Sequence, residues 1–332
     1  MRIAEVRELL AKYSPEQLQV IIAEIYKSIP QAVKLDKDID GIIKDPDCTQ
    51  VSGRRKKTEK KPQDLSVMKM EIQTFAENAK AFYYTSPNSV VPKCERSKWR
   101  FKVKRWYKDL QSAAANRDNT AQAGALLEQL YDLLCYACDY IIFTTEDPFQ
   151  SAGIPQAEFF RTILAVKRRV QDTKTFVQQA ISLMMQNSLN HYSLREELML
   201  VALEFIETPD AIHLAIQSCE TGIEEEVANP TAPRDGWSDS GYRSKKIIND
   251  YVRMAFLCYN ALHDIDKGIE LFNLQYRETN PEIRLFVLTH ILAGCNQPEV
   301  FQREFGKARK TGVKPRKELM KIYRAVKENG EF

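Results

Sequence analysis

The sequence predicts an all-α protein, a helical bundle leading into a solenoid-like array of α-helical hairpins. Three observations predict it. Apolar residues recur at intervals of three and four along almost the whole chain, the spacing that lines one side of a helix. Only 12 of the 332 residues are glycine, too few for the many tight turns of a sheet-rich fold. Near the C-terminus Pro281, Pro298 and Pro315 stand seventeen residues apart.

The elements follow in order. Ile3, Val6, Leu9 and Leu10 repeat at helical spacing. Ser14-Pro15-Glu16-Gln17 then reads as a capping box with proline at the first helical position. Leu18, Ile21, Ile22, Ile25 and Tyr26 give the second helix one apolar face, so residues 1–44 form a helix pair. Residues 45–63 hold Pro46, Gly53, Pro62 and a cationic run, and read as a basic linker. A helical domain over 64–227 follows, with helices near 64–84, 95–116, 119–143, 155–170, 172–189, 193–206 and 208–227. Residues 144–154 break the periodicity. Thr208-Pro209-Asp210 is an N-cap followed by proline. Two prolines and two glycines mark 228–241 as a loop, and 242–332 is the hairpin array.

The array rests on the proline spacing. Asn280-Pro281-Glu282, Gln297-Pro298-Glu299 and Lys314-Pro315-Arg316 are alike, and Asp264 stands where the preceding unit begins. Proline in the first turn forfeits no intrahelical hydrogen bond, so each proline starts a short helix. Two such helices make a 34-residue unit, the length of tetratricopeptide-like hairpins. The side-chain signature of that family is mostly missing here.

The net charge of +3 is a sum of unlike parts. Residues 51–110 carry net +10 and residues 111–229 carry net −10. Such a layout creates a field that the average conceals. No run approaches the eighteen or so apolar residues of a membrane span. The first residues lack the apolar core of a signal peptide and the acid-poor bias of a transit peptide. Seven cysteines, an odd number, sit mostly in apolar runs. Free buried thiols in a reducing, cytoplasmic setting are expected.

Several motifs invite a chemical reading. Asp36, Asp38, Asp40 and Gly41 match positions of an EF-hand calcium loop, but its twelfth position is Asp47 in place of Glu and its eleventh is Pro46. A solvated acidic helix is the expectation. Cys135-Tyr136-Ala137-Cys138 lacks the second pair that a zinc site needs, and its apolar flanks place it inside a buried helix. His191, His213, His263 and His290 form no metal-binding spacing. His213 and His290 lie on apolar helices and read as core groups. No nucleophile elbow, Walker loop or dinucleotide fingerprint is present. No catalytic residue, metal ligand or cofactor is therefore assigned. An enzyme would need a carboxylate site assembled in space.

The basic segments carry more. Gly53 to Lys61 holds six cations in nine residues, with Arg54, Arg55, Lys56 and Lys57 in a row. Lys93 to Lys108 interleaves eight cations with Trp99, Phe101, Trp106 and Tyr107. On a helix Trp99, Val103 and Trp106 share a face, giving a core stripe beneath a cationic surface. Arg54, Arg55, Lys56, Lys57, Lys98, Arg100, Lys102, Lys104 and Arg105 are the candidate polyanion-binding residues. The alternative is internal pairing of this block with the acidic 111–229. A third cationic cluster, Lys307 to Lys327, suits the polar last helix of an array. The loop Arg234 to Arg243 sets Trp237 and Tyr242 beside arginine, a composition common in binding hot spots.

Leu10-Ala11-Lys12-Tyr13-Ser14-Pro15-Glu16-Gln17-Leu18 onward to Lys34 resembles the N-terminal helix pair of bacterial helical proteins without an assigned role. Val91-Pro92-Lys93-Cys94-Glu95-Arg96-Ser97-Lys98-Trp99-Arg100-Phe101 resembles a segment of uncharacterised bacterial proteins. These stretches cover under a fifth of the chain, and the resemblance carries no activity or site residues. The helix pair is also similar to small DNA-binding helix-loop-helix modules. The expected function is a non-enzymatic helical scaffold for a protein partner. The alternative is a nucleic-acid-associated protein using residues 53–61 and 93–108. An enzyme comes third, and no membrane association is expected.

Overall fold

The computed structural model describes residues 3–30, 33–34, 39–44, 64–231 and 240–332. They are helical, with no strand among them. The chain divides into two compact units, Met1–Pro62 and Gln63–Phe332.

The first unit contains α1 (Ile3–Leu10), α2 (Pro15–Ser28) and α3 (Ile39–Lys44). The capping box forms as the sequence predicts. Ser14 Oγ accepts from the Gln17 backbone N–H at 3.3 Å, and Gln17 Oε1 accepts from the Ser14 N–H at 2.9 Å. The Tyr26 hydroxyl donates to Asp40 at 2.6 Å and ties α2 to α3. The expected apolar face of α2 is only half covered. Leu18, Ile21 and Tyr26 are partly buried, whereas Val20, Ile22 and Ile25 are exposed.

The second unit begins with α4 (Leu65–Lys80), a short α5 (Lys93–Arg96), α6 (Trp99–Ala114) and α7 (Thr120–Asp139). The expected break at 144–154 holds a short helix, α8 (Pro148–Ala152), which Asp147 caps by accepting from the Gln150 N–H at 2.8 Å. Then come α9 (Gln156–Lys167), α10 (Thr173–Gln186), α11 (Arg195–Leu203), α12 (Pro209–Ala228) and α13 (Ser240–Ala261). The chain ends with α14 (Ile265–Gln275), α15 (Pro281–Gly294), α16 (Pro298–Lys310) and α17 (Lys317–Asn329).

Pro281 and Pro298 are the first residues of α15 and α16, and Asp264 immediately precedes α14 at its N-cap position. Pro315 departs from this pattern. It lies two residues before α17, whose N-cap is Arg316 in an extended conformation. Neighbours in sequence pack in order along α12, α13 and α14, and again along α15, α16 and α17.

Two apolar cores share one wall. The first gathers side chains from α4 to α12 and reaches Met254, Ala255 and Cys258 of α13. The second starts from Ile223 of α12 and Ile248, Val252 and Phe256 of α13, and runs to Val326 of α17. Thus α13 is apolar on both sides, and its contact with α12 is unusually close. A Cβ on Gly222 would lie 2.4 Å from the Tyr251 ring. A buried Arg195 ties α13 to α11, pairing with Asp250 at 3.4 Å while donating to the Asn187 carbonyl at 3.0 Å. Burial nevertheless raises the Asp250 pKa above the usual carboxylate value.

The sequence reading of two histidines is corrected. His213 and His290 are exposed. His213 lies off the stripe of α12 formed by Ile212, Ala215, Ile216 and Cys219, and its Nδ1 is 2.7 Å from the Pro209 carbonyl oxygen. The exposed thiol of Cys94 likewise departs from the expectation of buried cysteines, while Cys135, Cys219 and Cys258 are buried. No helix among the described residues is long and apolar enough to cross a membrane.

Candidate nucleic-acid interface

The heptad-like spacing of its aromatics decides how α6 sits. Trp99, Val103, Trp106, Tyr107 and Leu110 fall on one arc and are buried. Trp99 stacks on Phe143 with centroids 4.0 Å apart, and Trp106 meets Phe75 edge to face at 5.2 Å. With that arc committed to the core, the cations between these residues must point outward. Lys98, Arg100, Lys104, Arg105 and Lys108 are exposed and Lys102 is partly so. Phe101 stands in their midst with 61% of its surface exposed. The Arg100 guanidinium lies 4.9 Å from its ring.

The ion pairs of this stretch stay within the basic block. Lys98 pairs with Glu95 at 2.6 Å, and Arg105 pairs with Glu71 at 3.3 Å. The Lys98 ammonium hydrogen bond holds the Glu95 carboxyl below its ordinary pKa, and Glu95 holds Lys98 above its own. Acids of 111–229 pair elsewhere. Glu128 binds Lys167 at 2.7 Å, and Glu204 binds Arg161 at 2.7 Å. Glu196 binds Arg253. Among the described residues Arg100, Lys102, Lys104 and Lys108 form no ion pair. The internal pairing of the two charge blocks, an alternative in the sequence, is not how these four cations are used.

Beside this face α4 and α6 enclose a cleft of about 480 Å³. Its floor is Phe75, Tyr84 and Trp106, all buried, and its outer wall is the exposed Val67 and Met70. Lys102 and Arg105 stand at it, as do Thr74 and Asn78. Burial pushes the Tyr84 hydroxyl up to about 12, so it stays neutral. Sequence reasoning missed the α4 half of this cleft. The available signal was Val67, Met70 and Thr74, which share an outward face of α4 at helical spacing.

A second cleft, about 500 Å³, lies between α4 and α7 and includes Lys80, Glu128, Asp132, Tyr136 and Asn187. Burial raises the pKa of Asp132, while the Asn187 amide donates to it at 3.0 Å and opposes the shift. Sequence alone shows only that Glu128 and Asp132 are one helical turn apart.

The remaining candidates resolve unevenly. Arg54, Arg55, Lys56 and Lys57 lie outside the described residues, as do Asp36, Asp38, Asp47 and Trp237. Asp40 and Gly41 belong to α3. Cys135 and Cys138 sit within α7, and burial raises both thiols, Cys138 to about 12. Among the described residues no group of three or more His, Cys, Asp and Glu side chains is placed to hold a metal ion. In the C-terminal cluster Lys307 pairs with Glu304 at 2.8 Å, and Arg309, Lys310, Lys314 and Lys317 are exposed. No protein family, curated protein or solved structure matches the chain.

Proposed function

We propose that the protein is a non-enzymatic helical scaffold that binds nucleic acid along the outward face of α6. The observation that carries the reading is the set of exposed cations Arg100, Lys104 and Lys108, which form no ion pair among the described residues, around an exposed Phe101. Cations on this face neutralise backbone phosphates and release counterions, and an exposed ring offers a stacking platform of any base sequence. Ten residues of helix extend the face over roughly 15 Å. The basic stretch Arg54–Lys57 would add phosphate contacts from the first unit. A cytoplasmic location accords with unpaired thiols among the described residues.

Fluorescence anisotropy of a labelled oligonucleotide against salt concentration tests the reading. Affinity is expected to fall steeply with salt. Arg100→Ala/Lys104→Ala/Lys108→Ala is expected to weaken binding and flatten the slope by about 0.7 per lost contact on a single strand. No binding at low salt, or an unchanged slope in the triple variant, refutes it.

A scaffold for a protein partner is the second reading, favoured by the exposed Val20, Ile22 and Ile25 of α2. Solvent-facing isoleucines on a capped helix are a common feature of helix-in-groove docking. A partner purified with the chain should be lost from Ile22→Glu/Ile25→Glu. Retention by that variant refutes the second reading.

A further inference from the structure

The cleft between α4 and α6 has the composition of a ligand pocket and lies on the cationic face. Its volume of about 480 Å³ falls within the range of small-molecule sites. Apolar side chains in its lining include the buried Phe75 and Trp106 and the exposed Val67 and Met70. Met70 is 61% exposed and Val67 is 48% exposed, so the described residues of this unit leave these side chains open. Two polar side chains stand at the cleft. Among the described residues Thr74 and Asn78 make no side-chain hydrogen bond. A carboxamide offers both donors and an acceptor, the pattern needed to pair with a base edge. Lys102 supplies positive charge at the same cleft, where Glu71 pairs with Arg105 at 3.3 Å.

We infer that this cleft receives one unstacked nucleobase of a single strand, with Asn78 at the base edge and Lys102 at a flanking phosphate. The inference rests on the proposed function and narrows its substrate class. Bases in a duplex are stacked and paired, so entering a cleft would require unpairing, whereas a single strand presents them already free. A flat ring seated against the exposed Val67 and Met70 replaces water on apolar surface. A free phosphate or a vesicle surface would satisfy the cations and leave the apolar walls and Asn78 unused.

The full chain separates these contributions with three labelled probes: a twelve-nucleotide single strand, an abasic strand of equal length and charge, and a hairpin duplex. The base-bearing strand is expected to bind about tenfold more tightly than the abasic one, the size of one stacked base. Thr74→Leu narrows the cleft from an exposed position with a side chain that cannot stack on a base, and leaves the α6 cations in place. It is expected to lower that ratio. Asn78→Ala is expected to lower the ratio with circular dichroism unaltered. Equal binding of the abasic and base-bearing strands by the wild-type protein overturns the base cleft and leaves the nucleic-acid reading standing. A ratio kept by Thr74→Leu places the base elsewhere and overturns it too. A tighter duplex overturns the single-strand preference. Failure of every probe at low salt overturns both.

Discussion

Glu282 and Arg316, thirty-four residues apart, are joined by two hydrogen bonds of 2.7 Å between carboxylate and guanidinium. The same carboxylate accepts from the Arg316 backbone N–H at 3.2 Å. Glu282 lies in the first turn of α15 and Arg316 is the N-cap of α17. One acid therefore serves the start of one helix and the start of the next but one. The guanidinium also covers the Phe286 ring at 4.1 Å. The sequence spacing that links these helices is thus matched by a physical link between their N-terminal ends.

That link should be visible in the pH dependence of stability. The Arg316 hydrogen bond holds the Glu282 pKa below its usual value. A depressed acid adds stability above its unfolded pKa, about 4.3, and loses it as pH falls through the folded value. Glu282→Gln is expected to lower the urea midpoint at pH 7 by a small but measurable amount, as for a bidentate pair that is partly exposed. The difference from wild type should shrink in acid and in molar salt. Equal midpoints at pH 7 would show that the pair contributes nothing.

Two glycines make opposite predictions. Gly222 of α12 faces Tyr251 of α13, where a Cβ would come within 2.4–2.8 Å of ring carbons. Gly222→Ala must push apart two helices that share both cores, and is expected to cost about 1–3 kcal/mol. Gly306 lies inside α16 with nothing within 4 Å of an added Cβ. Gly306→Ala removes backbone freedom from the unfolded chain and is expected to stabilise by about 0.5–1 kcal/mol. Thermal or urea unfolding of both variants reads the two signs directly.

The helices and the α6 stripe were legible because they depend on local rules. Ser14-Pro15-Glu16-Gln17 carries its own cap, and Trp99, Val103 and Trp106 fall on one face by periodicity alone. The expectation failed where periodicity carries no orientation. Buried and exposed positions follow one another closely in α15, so its pattern does not say that His290 faces outward. In α2 the pattern marks the apolar face and is silent on whether anything covers it. The α4–α6 cleft joins residues about thirty positions apart, such as Met70 and Lys102. Nothing in either segment alone specifies that they meet.

Asp132 offers a test of the second cleft. Burial raises its pKa above that of an unfolded aspartate, about 3.9. For an acid raised in the folded state, the stability contribution is complete below the unfolded pKa and is lost as pH rises through the folded one. Asp132→Asn keeps an oxygen that can accept from Asn187 and cannot ionise. Its urea midpoint relative to wild type is expected to rise between about pH 4 and pH 7. A difference that stays flat over that window would mean that Asp132 ionises as freely as in water.

Glu71 joins the stability of the fold to the charge of the interface. Its Oε2 accepts from the Trp106 indole N–H at 3.1 Å and from Arg105 at 3.3 Å. Glu71→Gln retains an acceptor for the indole and removes the counter-charge from Arg105. The unfolding free energy should then stay within about 0.5 kcal/mol of wild type, the scale of an exposed ion pair. Glu71→Ala also leaves the buried indole N–H unpaired and is expected to cost about 1–3 kcal/mol. With Arg105 released, Glu71→Gln is expected to bind an oligonucleotide several-fold more tightly at low salt. Its salt dependence should steepen by up to about 0.7, the value of one further phosphate contact on a single strand. Unchanged affinity and slope would show that Arg105 does not face the bound strand.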